Sequence, residues 1–185
     1  CEPHDIVAVD PGEGGWEAQT MRKPRQIMQA MRRHPDKTII FLDVDCRVVE
    51  SVSPLSKVSG DIAVHLMAGA RSRGYGRLFG RTTTLVLNPT GATRAFVATW
   101  CALSEDAPRG QVDQHTFTEA IVRTPGLSVV NLPAEWCAME KDAVERPAIV
   151  HAGAARKARK VSGLLRWVYG VQHAIGRRYD HPRTA

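Results

Sequence analysis

Thr38-Ile39-Ile40-Phe41-Leu42-Asp43-Val44-Asp45-Cys46 is the stretch whose reading decides the fold. Thr38 to Leu42 is an apolar run of β-branched and aromatic residues, which predicts a buried, central parallel strand. The run ends in two acids one residue apart. In open α/β sheets ligands bind beyond the carboxyl ends of the strands, so Asp43 and Asp45 are placed where a ligand would sit. Two carboxylates this close repel each other unless a cation lies between them or one of them keeps its proton. Hard oxygen donors select Mg²⁺ or Mn²⁺, ions that keep positions open for phosphate oxygens. The other reading of the pair is a solvated turn whose acids cap a following helix.

Working outward, Asp5 to Val9 reads as a short buried strand closed by Asp10-Pro11-Gly12. Met21 to Arg33 carries apolar residues at Ile27, Met28 and Met31. Because proline is tolerated in a first helical turn, Pro24 predicts a helix that starts near Lys23. His34-Pro35-Asp36 ends it, so the first 42 residues read as a right-handed βαβ unit. Downstream, Asp61–Met67 and Thr83–Leu87 read as strands. Between them Gly69–Gly80, with four Gly and three Arg, is expected to be a mobile loop. Thr90–Leu103 predicts a helix with Phe96, Val97 and Trp100 inward, and Asp113 is the expected N-cap of a helix running to about Val122. Leu127–Leu132 and Ala148–Val150 read as short strands, and Ala154 to about Ile175 as a long helix. The pattern predicts an α/β fold, a Rossmann-like, mostly parallel mixed sheet flanked by helices. It divides the chain into a core over residues 1–153 and a basic amphipathic helix and tail over 154–185.

Composition sets the outer limits. The chain has 185 residues, 43% hydrophobic and 24% charged, which suits a single domain with a real core and excludes disordered and collagen-like chains. No apolar run approaches the 18 or so residues of a membrane span. The chain opens at Cys1 with no charged-then-apolar leader, the pattern of a processed chain or of a piece of a longer one. Cys1, Cys46, Cys101 and Cys137 are scattered without a C-x-x-C pair, which predicts reduced core thiols and a cytoplasmic protein. The net charge of +6 is concentrated: His151 to Ala185 holds eight Lys and Arg against one acid, while the other 150 residues hold 17 basic and 18 acidic groups. Such a tail attracts phosphate-rich partners. Leu164, Leu165, Val168, Val171 and Ile175 fall near helical spacing beside these charges. A second reading follows, a non-catalytic binding module that lays this helix on an anionic membrane or on nucleic acid. No nucleic-acid motif is present, so a specific nucleic-acid partner is not expected. The ordinary role of such a helix is to pack its apolar face on the domain.

Two enzyme classes place D-x-D at a strand end. Haloacid-dehalogenase-type phosphatases use the first Asp as nucleophile and the second as general acid, but carry Thr or Val where Arg47 stands here, and a late Asp-Asp pair that this chain lacks. The other class fits along the chain. Lys23-Pro24 precedes Phe41-Leu42-Asp43-Val44-Asp45-Cys46-Arg47-Val48, then come Asp61-Ile62-Ala63 and Thr84-Leu85-Val86-Leu87-Asn88. Trp100, Asp113-Gln114, Leu132-Pro133, Ile149-Val150-His151-Ala152-Gly153 and Lys157 follow. In order and spacing, over about residues 5 to 160, this resembles the GT-A nucleotide-diphospho-sugar transferases, the group around glycogenin, bacterial lipopolysaccharide galactosyltransferases and plant cell-wall transferases.

The resemblance implies a GT-A glycosyltransferase whose D-x-D acids and late histidine hold Mn²⁺ or Mg²⁺ at the diphosphate of the donor. Carried over, the metal ligands are Asp43, Asp45 and His151, although a lone histidine in a core is usually structural. Lys23, Asp43, Gln114 and Lys157 would contact the donor, and Asp113 is the implied catalytic carboxylate; read without the resemblance, it is a helix cap and Lys23 an exposed helix-start lysine. Trp100 and Trp136 are assigned to the core. The implied partners are a nucleotide-diphospho-sugar, a UDP-sugar first among them, and a saccharide or lipid-linked acceptor. The latter would place the protein at the inner face of a membrane. Transferases of this type begin with a strand and helix that hold the base; the reading expects that unit to be missing before Asp5.

Overall fold

The computed structural model describes residues 16–68, 78–108 and 111–152. Its elements run α1 (Trp16–Arg33), β1 (Ile39–Leu42), β2 (Cys46–Val48), a 3₁₀ turn (Ser53–Lys57), β3 (Ile62–Ala68), β4 (Leu78–Leu87), α2 (Gly91–Glu105), α3 (Asp113–Val122), β5 (Val129–Asn131), a second 3₁₀ turn (Ala134–Trp136), β6 (Ala138–Met139) and β7 (Ile149–His151). The expected strand over Asp5–Val9, and with it the βαβ unit, lies outside the described residues, as does the helix expected from Ala154. Of the expected Gly69–Gly80 loop, Leu78–Gly80 belongs to β4 and the rest lies outside them.

The strands form a four-stranded sheet in the order β1-β4-β3-β5 and a three-stranded sheet in the order β2-β7-β6. β1 pairs antiparallel with β4 from Ile39 opposite Leu87 to Leu42 opposite Thr84, and β3 pairs antiparallel with β4. β3–β5 and β6–β7 are parallel and β2–β7 is antiparallel. The α/β class and the mixed sheet are as expected. Among the described residues three of the five pairings are antiparallel, and the described partner of β1, β4, runs antiparallel to it; any pairing of β1 with the expected Asp5–Val9 strand lies outside them. An unbroken apolar run reports burial; it carries no information on the direction of the neighbouring strand.

Helix α1 also departs from expectation. It starts at Trp16, so Pro24 lies inside it rather than in its first turn. An interior proline costs about 3 kcal/mol through the lost N–H and a clash with the preceding turn. Packing outweighs that local cost, since Ile27 and Met31 are buried in one cluster with Phe96, Trp100 and Phe117 of α2 and α3. Phe96, Val97 and Trp100 point inward as their spacing predicts. A second cluster, Leu55, Ala63, Val86, Leu132 and Ile149, fills the opposite face of the larger sheet. Gly80 lets β4 approach that first cluster closely, because a Cβ there would lie 2.6 Å from the Phe117 ring. Cys101 and Cys137 are buried and Cys46 is half-buried, all three as free thiols. No helix among the described residues is long and apolar enough to cross a membrane.

Asp61 ties three elements together ahead of β3. Its Oδ1 accepts from Thr90 Oγ1 at 2.6 Å, where Thr90 itself caps α2, and its Oδ2 accepts from the Ser128 N–H at 2.8 Å. These two donors, the Thr90 hydroxyl first, hold its carboxyl below the ordinary range. A depressed carboxyl contributes stability above its unfolded pKa and loses it as the pH falls through the folded one. Asp61→Ala is therefore expected to cost about 1.5–3 kcal/mol at neutral pH, the usual value of charge-assisted hydrogen bonds. The gap should close below about pH 4, where the free carboxyl protonates. Urea unfolding of both proteins at pH 7 and pH 3 checks this; an equal gap at both would disprove the charged role.

Candidate active site

The site forms where β1 runs out. Leu42 is its last residue, and the chain then turns through Asp43-Val44-Asp45, with the Asp43 N–H donating to Thr83 O at 3.0 Å and the Cys46 N–H to Asp43 O at 3.1 Å. The Val44 side chain is fully exposed at the tip of the turn, so the acids on either side of it face back toward the domain. β2 then pairs with β7, setting Cys46 opposite His151, and the Ala152 N–H donates to Asp45 O at 2.9 Å. Backbone pairing alone brings the late histidine beside the D-x-D turn.

Lys23 occupies the middle of this corner. Its side chain is 7% exposed, and its Nζ lies 2.7 Å from Asp113 Oδ2, 3.0 Å from Asp43 Oδ1 and 2.9 Å from Thr82 O. The Phe41 ring centroid is 5.3 Å from the same ammonium. Burial pushes the Lys23 ammonium toward losing its proton, but Asp113 and then Asp43 outweigh it and hold the pKa above the ordinary value. Burial likewise pushes the Asp43 carboxyl up to about 6, against the downward pull of Lys23.

The groups that position this cluster come from β4. Between the pairs Val64–Leu85 and His65–Arg81, the residues Thr82, Thr83 and Thr84 have no partner on β3. Such bulges re-aim side chains and free backbone groups. Here the Thr82 carbonyl accepts from Lys23 and the Thr82 hydroxyl donates to Asp113 Oδ2 at 2.7 Å. Thr84 Oγ1 lies 3.0 Å from His151 Nε2, while Thr83 Oγ1 is buried without a hydrogen-bond partner. Sequence reasoning missed these threonines; a Thr-Thr-Thr run in a strand differs little from ordinary β-branched filling.

The structure thus brings Lys23, Asp43 and Asp113 into contact and sets Asp45 and His151 next to each other. Asp113 is not the cap of α3: it is the first helical residue, Val112 holds the N-cap position, and the carboxylate turns inward to Lys23 and Thr82. Lys23 is not an exposed helix-start lysine, because α1 begins well before it. Gln114 follows Asp113 on α3 and Lys157 lies outside the described residues.

No family model matches the chain, and no curated protein does. Solved structures do. A glycosyltransferase involved in glycosylation of the major capsid of PBCV-1 aligns over 83% of this chain and 79% of its own, with a TM-score of 0.61 at 18% identity. The fold is the GT-A glycosyltransferase fold. A galactosyltransferase, LgtC, solved with donor and acceptor sugar analogs, aligns over 62% of this chain and 52% of its own, with a TM-score of 0.43 at 15% identity.

On this fold the donor set can be tested against a divalent cation. Among the described residues no three His, Cys, Asp or Glu side chains are grouped to hold a metal ion. The individual groups nevertheless suit one. His151 is 1% exposed, and burial first, with help from Arg81 and Lys23 against Asp45, pushes its pKa down to about 4, so the ring is neutral. Its Nδ1 is buried and has no hydrogen-bond partner. The tautomer that donates from Nε2 to Thr84 leaves a lone pair on Nδ1, which is what a metal ligand needs. A buried, unsatisfied nitrogen next to the Asp45 carboxylate fits a cation bound by oxygen and imidazole donors.

Proposed function

We propose that the chain is a metal-dependent glycosyltransferase domain that moves a sugar from a nucleotide-diphosphate donor, a UDP-sugar first, to a saccharide or lipid-linked acceptor. One observation supports the reading: on a glycosyltransferase fold, the β2–β7 ladder seats a buried histidine with an unsatisfied Nδ1 next to Asp45, the second acid after β1.

In the transfer an acceptor hydroxyl oxygen bonds to the anomeric carbon. The bond from that carbon to the diphosphate oxygen breaks, its electron pair leaves with the diphosphate, and the acceptor proton passes to a base. A divalent cation held by Asp43, Asp45 and His151 would supply Lewis-acid stabilisation of the departing diphosphate. Gln114 is the group proposed to bind sugar hydroxyls, and Asp113 is the proposed catalytic carboxylate, acting from beneath the site through its contacts with Lys23 and Thr82. Lys23 fixes the Asp113 carboxylate from the protein side. Lys157 is the proposed further cation at the diphosphate.

The test is thermal unfolding with Mn²⁺ and UDP, singly and together, for wild type and Asp45→Ala. Ligands that bind only the folded state raise the melting temperature, by about 5–10 °C for a domain of this size at a hundredfold excess over Kd. The expected rise is larger with both ligands than with either alone and vanishes in Asp45→Ala. A rise of equal size in the variant, or none in wild type with any nucleoside diphosphate, would remove the proposal.

A further inference from the structure

We infer that Lys23 competes with the divalent cation for Asp43, and that Asp113 sets the strength of that competition by drawing the ammonium away. The inference rests on the metal-site reading above and concerns how that site is loaded.

An ammonium has three protons to donate, and the three short contacts of Lys23, to Asp113, Asp43 and the Thr82 carbonyl, use all of them. Asp43 therefore already has a cation, one supplied by α1. A second cation on that carboxylate meets repulsion from the first at close range, where little water screens it.

The three contacts are not equivalent. Asp113 is the nearer carboxylate, its side chain is 5% exposed, and Thr82 holds it from the other side. Asp43 is the longer contact and its side chain is 27% exposed, so water or an entering ion can reach it. Releasing Asp43 costs Lys23 one contact of three, while its charge stays balanced by Asp113. Losing Asp113 would have the opposite effect, leaving Asp43 as the sole carboxylate on the ammonium. The two partners of Lys23 therefore act on metal capture with opposite sign.

Direct Mn²⁺ binding without nucleotide, read from the electron paramagnetic resonance of free Mn²⁺, tests this in wild type, Asp113→Asn, Lys23→Met/Asp113→Asn and Asp45→Ala. The double variant has the net charge of wild type, so general electrostatics do not favour it. Expected are weaker binding in Asp113→Asn and tighter binding in the double variant, each by about tenfold, a usual coupling between contacting charges. A double variant that binds no more tightly than wild type, with binding still lost in Asp45→Ala, overturns this inference and leaves the metal site standing. Binding that is absent throughout, or indifferent to Asp45→Ala, overturns both. If the double variant does not fold, Asp113→Asn alone decides, and undiminished Mn²⁺ binding there overturns the competition.

Discussion

Trp100→Ala is expected to lower folding stability by about 3–5 kcal/mol, the range for removing a large aromatic side chain from a closed core. Trp100 is fully buried, its ring centroid lies 4.9 Å from that of Phe117 and 5.9 Å from that of Phe96, and its Nε1 donates to Thr116 Oγ1 at 3.1 Å. Truncation opens a cavity against both rings and at the same time takes away the donor to the buried Thr116 Oγ1. The surroundings cannot collapse to fill it, because Phe117 is itself pressed against Gly80 of β4. Trp100→Phe keeps the ring contacts and should lose much less. Guanidinium unfolding of the two variants decides; equal losses would mean that the indole hydrogen bond, rather than the packed volume, carries the effect. The helices packed in the same cluster with Trp100, α1 and α3, bear Lys23 and Asp113, so Trp100→Ala should also lower activity in proportion to the fraction unfolded.

Lys23→Ala is the second large effect. It leaves two carboxylates at one corner, and the one on Asp113 is almost wholly buried. Removing one partner of a buried ion pair costs about 3–5 kcal/mol because the other charge remains without compensation. That origin makes the loss recoverable: removing the stranded charge as well, in Lys23→Met/Asp113→Leu, should restore most of the stability. Denaturant midpoints of the single and double variants check it. A double variant as unstable as Lys23→Ala would show that the lysine stem, rather than the charge balance, holds α1 to β4.

Much of the site was legible because it is local. Asp43 and Asp45 follow an apolar run directly, and both run and acids can be read in nine residues. Phe96, Val97 and Trp100 were assigned inward from helical spacing, and they are buried. Lys23 and Asp113 were singled out from a resemblance as a donor contact and a catalytic carboxylate, and from their own residues as a helix-start lysine and a helix cap. That they pair with each other could not be read, since each looks like an ordinary helix-terminal charge. Pro24 misled for a related reason: a local breaker signals a helix start unless distant packing overrides it, and here the cluster of Ile27, Met31 and Trp100 does so. The bulge on β4 left no trace in its own residues.

What the sequence by itself determined is most of the succession of the described strands and helices, the inward positions of Phe96, Val97 and Trp100, and the acids at the end of β1. These depend on neighbours within a few residues, where periodicity and composition act. The tertiary structure alone decided the strand directions and the partners of each site residue. Lys23 reaches Thr82 across 59 positions and Thr84 reaches His151 across 67. Contacts at that separation are selected by the packing of whole layers and by the need to balance each buried charge, which no local pattern records.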